Sequence, residues 1–285
     1  MKLIALLAAL LLLVLATPAA AIVGGSPDGD AHPNVGLLAF DVDGTGPTPP
    51  FQICTGTVIS DRAFLTARHC IEPPLVPLPP GVTWAVTLEA GSPSAPIVPG
   101  GTFPADYPAC CALTVPESKI ARATGVALHR DFEPGFVPGT GAPTVGRHDV
   151  AVVLFPAGTF AGVEPVRLAR AGALDHLRPA GRRRGPQFTL VGYGTEIRDG
   201  LFYSPGYRKS ARAGFHDLDG NWLVLKPRSG APCYGDSGSP QFLGGSDIQV
   251  ALFHDSSGTC AGTGHSQRLD TRSEREFLER FVDLP

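Results

Sequence analysis

Charge is scarce in this chain of 285 residues. Asp, Glu, Lys and Arg make up 17% of it and the formal net charge is −3, which provides no broad basic surface for nucleic acid. With 43% hydrophobic residues the chain is too apolar to be disordered. Its 35 glycines and 29 prolines follow no three-residue period, which excludes a collagen-like chain. None of the six cysteines stands in a C-x-x-C pair and no H-E-x-x-H occurs, so the sequence points to no zinc site and to no cofactor. No internal repeat is visible. Beyond residue 23 no stretch is apolar enough to span a bilayer.

The first segment does have a targeting pattern. Lys2 is followed by an uncharged Leu- and Ala-rich run to Ala16, a Thr17-Pro18 break, and the small residues Ala19-Ala20-Ala21. This is the layout of a cleaved signal peptide over residues 1–21. A membrane anchor is the alternative, because the apolar stretch continues to Val23, near spanning length. Signal cleavage implies a secreted or periplasmic mature chain, 22–285, with no membrane attachment and with disulfides permitted.

Short apolar runs then recur, punctuated by Gly, Pro and Asp: Val35–Val42, Gln52–Ser60, Val82–Leu88, Ala123–Leu128, Val150–Phe155, Phe188–Gly192, Trp222–Leu225 and Ile248–Phe253. They predict an all-β barrel or sandwich. One helix is expected, over Thr271–Val282, where Phe277, Leu278, Phe281 and Val282 form an apolar face and Asp270 or Thr271 could cap it. The Pro/Gly-dense stretch from Pro73 to Pro108 and the basic cluster Arg182-Arg183-Arg184 are expected in loops, the latter as a solvated turn.

Three segments carry chemistry, in this order: Thr66-Ala67-Arg68-His69-Cys70, His148-Asp149 ahead of the strand Val150–Leu154, and Gly235-Asp236-Ser237-Gly238-Ser239-Pro240. A serine hydroxyl is a weak nucleophile until a neighbouring imidazole takes its proton. The imidazole in turn needs a buried carboxylate to fix its tautomer and stabilise its charged form. Backbone N–H groups must meet the oxyanion, and a glycine-rich turn can present them. Each segment alone would pass for a surface loop or a structural residue; the order His, Asp, Ser makes them one candidate constellation. That order differs from the Ser, Asp, His order of the α/β-hydrolases.

The sequence resembles the trypsin/chymotrypsin family of serine proteases. Ile22-Val23-Gly24-Gly25 is similar to the family's mature N-terminus, Cys54-Thr55-Gly56-Thr57 with Leu65–Cys70 to its histidine loop, and His148–Leu154 to its aspartate segment. Gly192-Tyr193-Gly194 is similar to its G-W-G strand, Cys233–Pro240 to its serine loop, and Arg268–Val282 to its final strand and helix. The resemblance implies two six-stranded antiparallel β-barrels, about 22–158 and 159–285, with a C-terminal helix. It implies a monomeric secreted endopeptidase that acts on proteins or peptides without a cofactor. His69 would be the general base, Asp149 its orienter and Ser237 the nucleophile, with Gly235 and Ser237 forming the oxyanion hole. It pairs Cys54 with Cys70 and Cys233 with Cys260, and it pairs the Ile22 α-ammonium with Asp236. The Ala19-x-Ala21 signal would make signal removal itself create that terminus. A catalytically silent binding homologue and an esterase on the same fold are the competing readings.

Departures from the family pattern concern specificity. The pocket-floor position is Ala231, which removes the reason for cleavage after Arg or Lys, so a neutral pocket is expected. His254 can be placed in two ways: beside the catalytic aspartate where the family has a serine, or, with Ser257, in a pocket wall that binds an acidic side chain. Filling space is a third option. Cys110 and Cys111 are adjacent, and neighbouring Cα atoms about 3.8 Å apart would strain a bond between them. A strained bridge and free or intermolecular thiols both stay open.

Overall fold

The computed structural model describes residues 22–41, 51–72, 81–91, 115–134, 146–177, 185–198, 201–203, 206–256 and 260–285. The signal segment 1–21, Cys110, Cys111, Arg182–Arg184 and Ser257 lie outside the described residues. The strands are β1 (Ser26–Pro27), β2 (Val35–Asp41), β3 (Phe51–Ser60), β4 (Ala63–Thr66), β5 (Thr83–Thr87), β6 (Ala121–Arg122), β7 (Gly125–Leu128), β8 (Ala151–Leu154) and β9 (Arg167–Leu168). Then follow β10 (Gln187–Gly192), β11 (Glu196–Arg198), β12 (Leu201–Tyr203), β13 (Lys209–Asp219), β14 (Trp222–Pro227), β15 (Pro240–Leu243), β16 (Ile248–Ser256) and β17 (Gly264–Arg268). One α-helix among the described residues, α1 (Arg272–Leu278), follows. Each of the eight apolar runs overlaps a strand.

Apart from the small β11–β12 hairpin and β9, which joins β16 in parallel, the strands build two antiparallel bodies. In the second half, β13, β10, β15, β16, β17 and β14 follow one another and β14 returns to β13, so six strands close a barrel. In the first half the order β6-β5-β2-β3-β4-β8-β7 is a curled sheet rather than an uninterrupted barrel. Its two edge strands are halves of one segment. Ala123 N–H bonds Trp84 O beside β5, and Thr124 N–H bonds Leu154 O on β8, so a switch of partner in mid-segment draws the edges together. β2 and β4 are buried along their whole length, which is why they read as continuous apolar runs instead of alternating ones.

Both chain ends cross to the opposite half. β1 pairs with β13 of the second barrel, while Phe277 and Leu278 of α1 join the apolar core of the first sheet. The helix is shorter than the apolar pattern predicts. Phe281 and Val282 still pack on that core, but from beyond the helix end. Thr271 occupies the N-cap position without a side-chain cap bond, and Asp270 accepts from Leu174 N–H and the Arg268 guanidinium instead.

A buried cation links the two halves. Arg208, 1% exposed, donates from Nε to Asp28 Oδ2 (2.9 Å) and from its terminal nitrogens to Val35 O (2.9 Å), Gly29 O (2.6 Å) and the Tyr193 hydroxyl (3.2 Å). Burial opposes ionisation of Asp28, but hydrogen bonds and charge from His32 and Arg208 hold its carboxyl below the usual range. Arg208→Met would leave Asp28 without its guanidinium partner, so a loss of about 3–5 kcal/mol in urea unfolding is expected. The Asp28 contribution is complete above the unfolded carboxylate range and is lost as pH falls through the depressed native value.

Candidate active site

β4 runs into Ala67 and a 3-10 turn, Arg68–Cys70, that carries His69. The Cys54–Cys70 disulfide fastens this turn to β3, with Cα atoms 6.2 Å apart. Asp149 sits just ahead of β8. Its backbone N–H donates to Gln267 Oε1 (3.3 Å), and its side chain is fully buried. His69 meets it twice: the backbone N–H donates to Oδ1 (2.8 Å), and ring Nδ1 lies 2.6 Å from Oδ2.

A second imidazole shares that oxygen. His254 Nδ1 is also 2.6 Å from Asp149 Oδ2, and its ring stands edge-on to His69 at 5.4 Å between centroids. Between β16 and β17 the register skips from Phe253 to Asp255, so His254 is a bulge residue, the kind of position that re-aims a side chain. The structure therefore places its ring beside Asp149, as in the first of the two placements. Burial disfavours ionisation of Asp149, yet the charges of His69 and His254 and a hydrogen bond from each hold it far below the usual carboxylate range. Burial likewise opposes the His254 cation, but Asp149 outweighs it and raises that imidazole above its ordinary value.

The serine turn lies against the histidine loop. Gly235 (φ +89°) and Gly238 (φ +81°) adopt left-handed backbone. A Cβ on Gly238 would also collide with Thr66 Oγ1 and Thr55 O. Ser237 is held by its backbone: its carbonyl accepts from Thr55 N–H (2.9 Å) and lies 3.8 Å from Cys70 Sγ. Thr55 Oγ1 also donates to Gly235 O (2.9 Å). The N–H groups of Asp236, Gly238 and Ser239 all donate to carbonyls. Among the described residues those of Gly235 and Ser237 do not, which leaves two donors within one turn.

Asp236 is buried behind this turn. It accepts from Gly194 N–H (2.8 Å) and Cys233 N–H (2.9 Å), and a Cβ on Gly194 would overlap its carboxylate. Burial pushes Asp236 up to about 7, against those two bonds and the field of Lys209. Burial also pulls the Lys209 ammonium down to about 8, and its Nζ is bonded to Glu196 Oε1 at 2.7 Å. Ile22 is fully buried. The next residue, Val23, pairs with Ala231, two positions before Cys233.

Ala231 is 4% exposed and donates to Val23 O (3.0 Å). Ser256 Oγ bonds Pro232 O (3.3 Å), and the Cys233–Cys260 disulfide joins the neighbouring segments, its Cα atoms 5.1 Å apart. Gln267, Lys209 and Glu196 support the site without standing out in the sequence; each is a buried polar residue on a strand, β17, β13 and β11 respectively. His69, Asp149 and His254 also form a possible metal-ligand group, but both Nδ1 atoms lie 2.6 Å from the same oxygen, Asp149 Oδ2, and the other oxygen accepts from His69 N–H, so neither carboxylate oxygen is left bare for an ion. Cys54 and Cys70, grouped with His69, are disulfide-bonded and offer no thiolate.

A scan against protein-family models gives no match, and neither does a search of the curated proteins. Among solved structures the chain is similar to HL collagenase, with a TM-score of 0.59 and 15% identity, covering 92% of this chain and 100% of that one. At that identity the likeness establishes the fold: mostly β, two barrel-like bodies and a C-terminal helix, a trypsin-like architecture.

Proposed function

We propose that the chain is a secreted serine endopeptidase related to the trypsin/chymotrypsin family. The observation that carries this reading is the fully buried Asp149 carboxylate, bonded twice to His69, with the Ser237 turn packed on the same disulfide-fastened loop. The name of the fold neighbour, a collagenase, supports proteolysis at the level of fold; no substrate is carried over from it.

In this mechanism Ser237 Oγ attacks the acyl carbon of the scissile bond while His69 takes its proton. Asp149 keeps the Nδ1–H tautomer and stabilises the imidazolium. The Gly235 and Ser237 N–H groups receive the oxyanion, a contribution worth roughly 2.7–4 kcal/mol per donor at such sites. His69 then protonates the departing amine. Water, deprotonated by the same imidazole, releases the acyl group from Ser237.

Ala231 supplies no charge at the pocket floor, and His254 is committed to Asp149. A neutral side chain ahead of the scissile bond is therefore the expected preference. Incubating the secreted chain with a random peptide library should give cleavage after neutral residues, abolished by His69→Ala. Cleavage dominated by Arg or Lys would contradict the pocket assignment, and hydrolysis of esters without peptides would favour an esterase.

A further inference from the structure

We propose that His129, His148 and Glu274, behind the catalytic aspartate, form a binding site for one divalent metal ion of the zinc class. One ligand atom from each residue lies within 4.8 Å of the others. The imidazoles of His129 and His148 are stacked, 4.8 Å between centroids and 8° from parallel. His148 Nδ1 is 2.6 Å from Glu274 Oε1, so the carboxylate already faces one candidate ligand nitrogen.

An independent observation points to a ligand. Glu274 is fully buried, and its second oxygen, Oε2, has no hydrogen-bond partner among the described residues. A buried carboxylate oxygen left bare is costly. Gln267 Nε2 donates only to the other oxygen, at 3.2 Å. A metal ion bound between Glu274 and the two imidazoles would fill that need. Two His and one Glu with a fourth position open to water is an established zinc ligand set.

Access is available. A cavity of about 270 Å³ is lined by His129 together with Arg130, Asp131, Ser273, Glu276 and Arg280. The position gives the ion a structural effect. His129 follows β7, His148 precedes Asp149, and Glu274 lies on α1. Gln267 bridges Glu274 to the Asp149 backbone N–H, and Arg68 bonds the His129 carbonyl. A bound ion would clamp the C-terminal helix to the segments that hold His69 and Asp149.

The test uses full-length Ser237→Ala protein, which does not digest itself, stripped with a chelator and titrated with Co²⁺ and then Zn²⁺. The expected result is one equivalent bound with a tetrahedral visible spectrum. With zinc about a hundredfold above its Kd, Tm should rise by roughly 5–10 °C. His129→Gln and the isosteric Glu274→Gln should each weaken binding by at least about 100-fold, whereas His254→Ala should leave it intact. Absence of bound metal in the parent protein would overturn the proposal. So would binding that survives both first variants and disappears in His254→Ala, which would place the ion at the triad.

Discussion

Replacing Ser237 by alanine is expected to lower kcat by about four to six orders of magnitude, with His69→Ala close behind. The losses should not add. Once Ser237 is gone, the imidazole has no hydroxyl to deprotonate, so the Ser237→Ala/His69→Ala pair should match the worse single variant. Asp149→Asn should keep the geometry and still cost about 10⁴-fold, because the amide no longer favours the productive tautomer. In this chain it should also leave His254 without its carboxylate. Steady-state kinetics on a peptide substrate reads all of these, and ordinary activity in Ser237→Ala would end the assignment.

The second large effect concerns Ile22. A β-branched residue at φ +44° is strained by roughly 1–3 kcal/mol. A cut ahead of Ile22 would relieve that dihedral and free an α-ammonium on the segment whose Val23 pairs with Ala231, the ammonium proposed to pair with Asp236. Lys209, the neighbouring cation, is committed to Glu196. The processed chain should therefore be active, and a chain blocked or extended ahead of Ile22 should fold but lose activity by about two orders of magnitude or more, the equivalent of a buried charge left unpaired. The pH dependence follows. An α-amino group has an ordinary pKa of about 7.7–8.0, and the proposed pairing with Asp236 is expected to raise it. Its support for the active form is complete below the ordinary value and fades as pH rises through the raised one. Without the ammonium, Asp236 stays protonated up to about 7. N-terminal sequencing of the secreted form should begin at Ile22, and full activity in a blocked chain would exclude the ion pair.

The apolar strands were legible because their burial leaves a plain hydrophobic record, as in Val35–Asp41 and Ala151–Leu154. Strands that bury polar groups were not. β13 begins with the fully buried Lys209, and β17 carries buried Ser266, Gln267 and Arg268, so neither looks like core until its partners are known. The three chemistry-bearing segments stand out because each needs a particular residue at a particular point in a turn. The structure brings His69 onto Asp149 and the Ser237 turn against the same loop. His254 was ambiguous for a physical reason: a one-residue bulge decides which way its ring points, and sequence alone does not record it. Glu274, an acidic residue in the first turn of α1 with nothing in the sequence to mark it as core, is fully buried and bonded to His148.

The central claim is that Ser237 is an activated nucleophile, and covalent labelling tests it most directly. The secreted chain beginning at Ile22 should react with a fluorophosphonate to give one adduct, mapped by mass spectrometry to the peptide containing Ser237, and His69→Ala should slow that reaction by orders of magnitude. No adduct, an adduct on another residue, or undiminished labelling in His69→Ala would contradict the account.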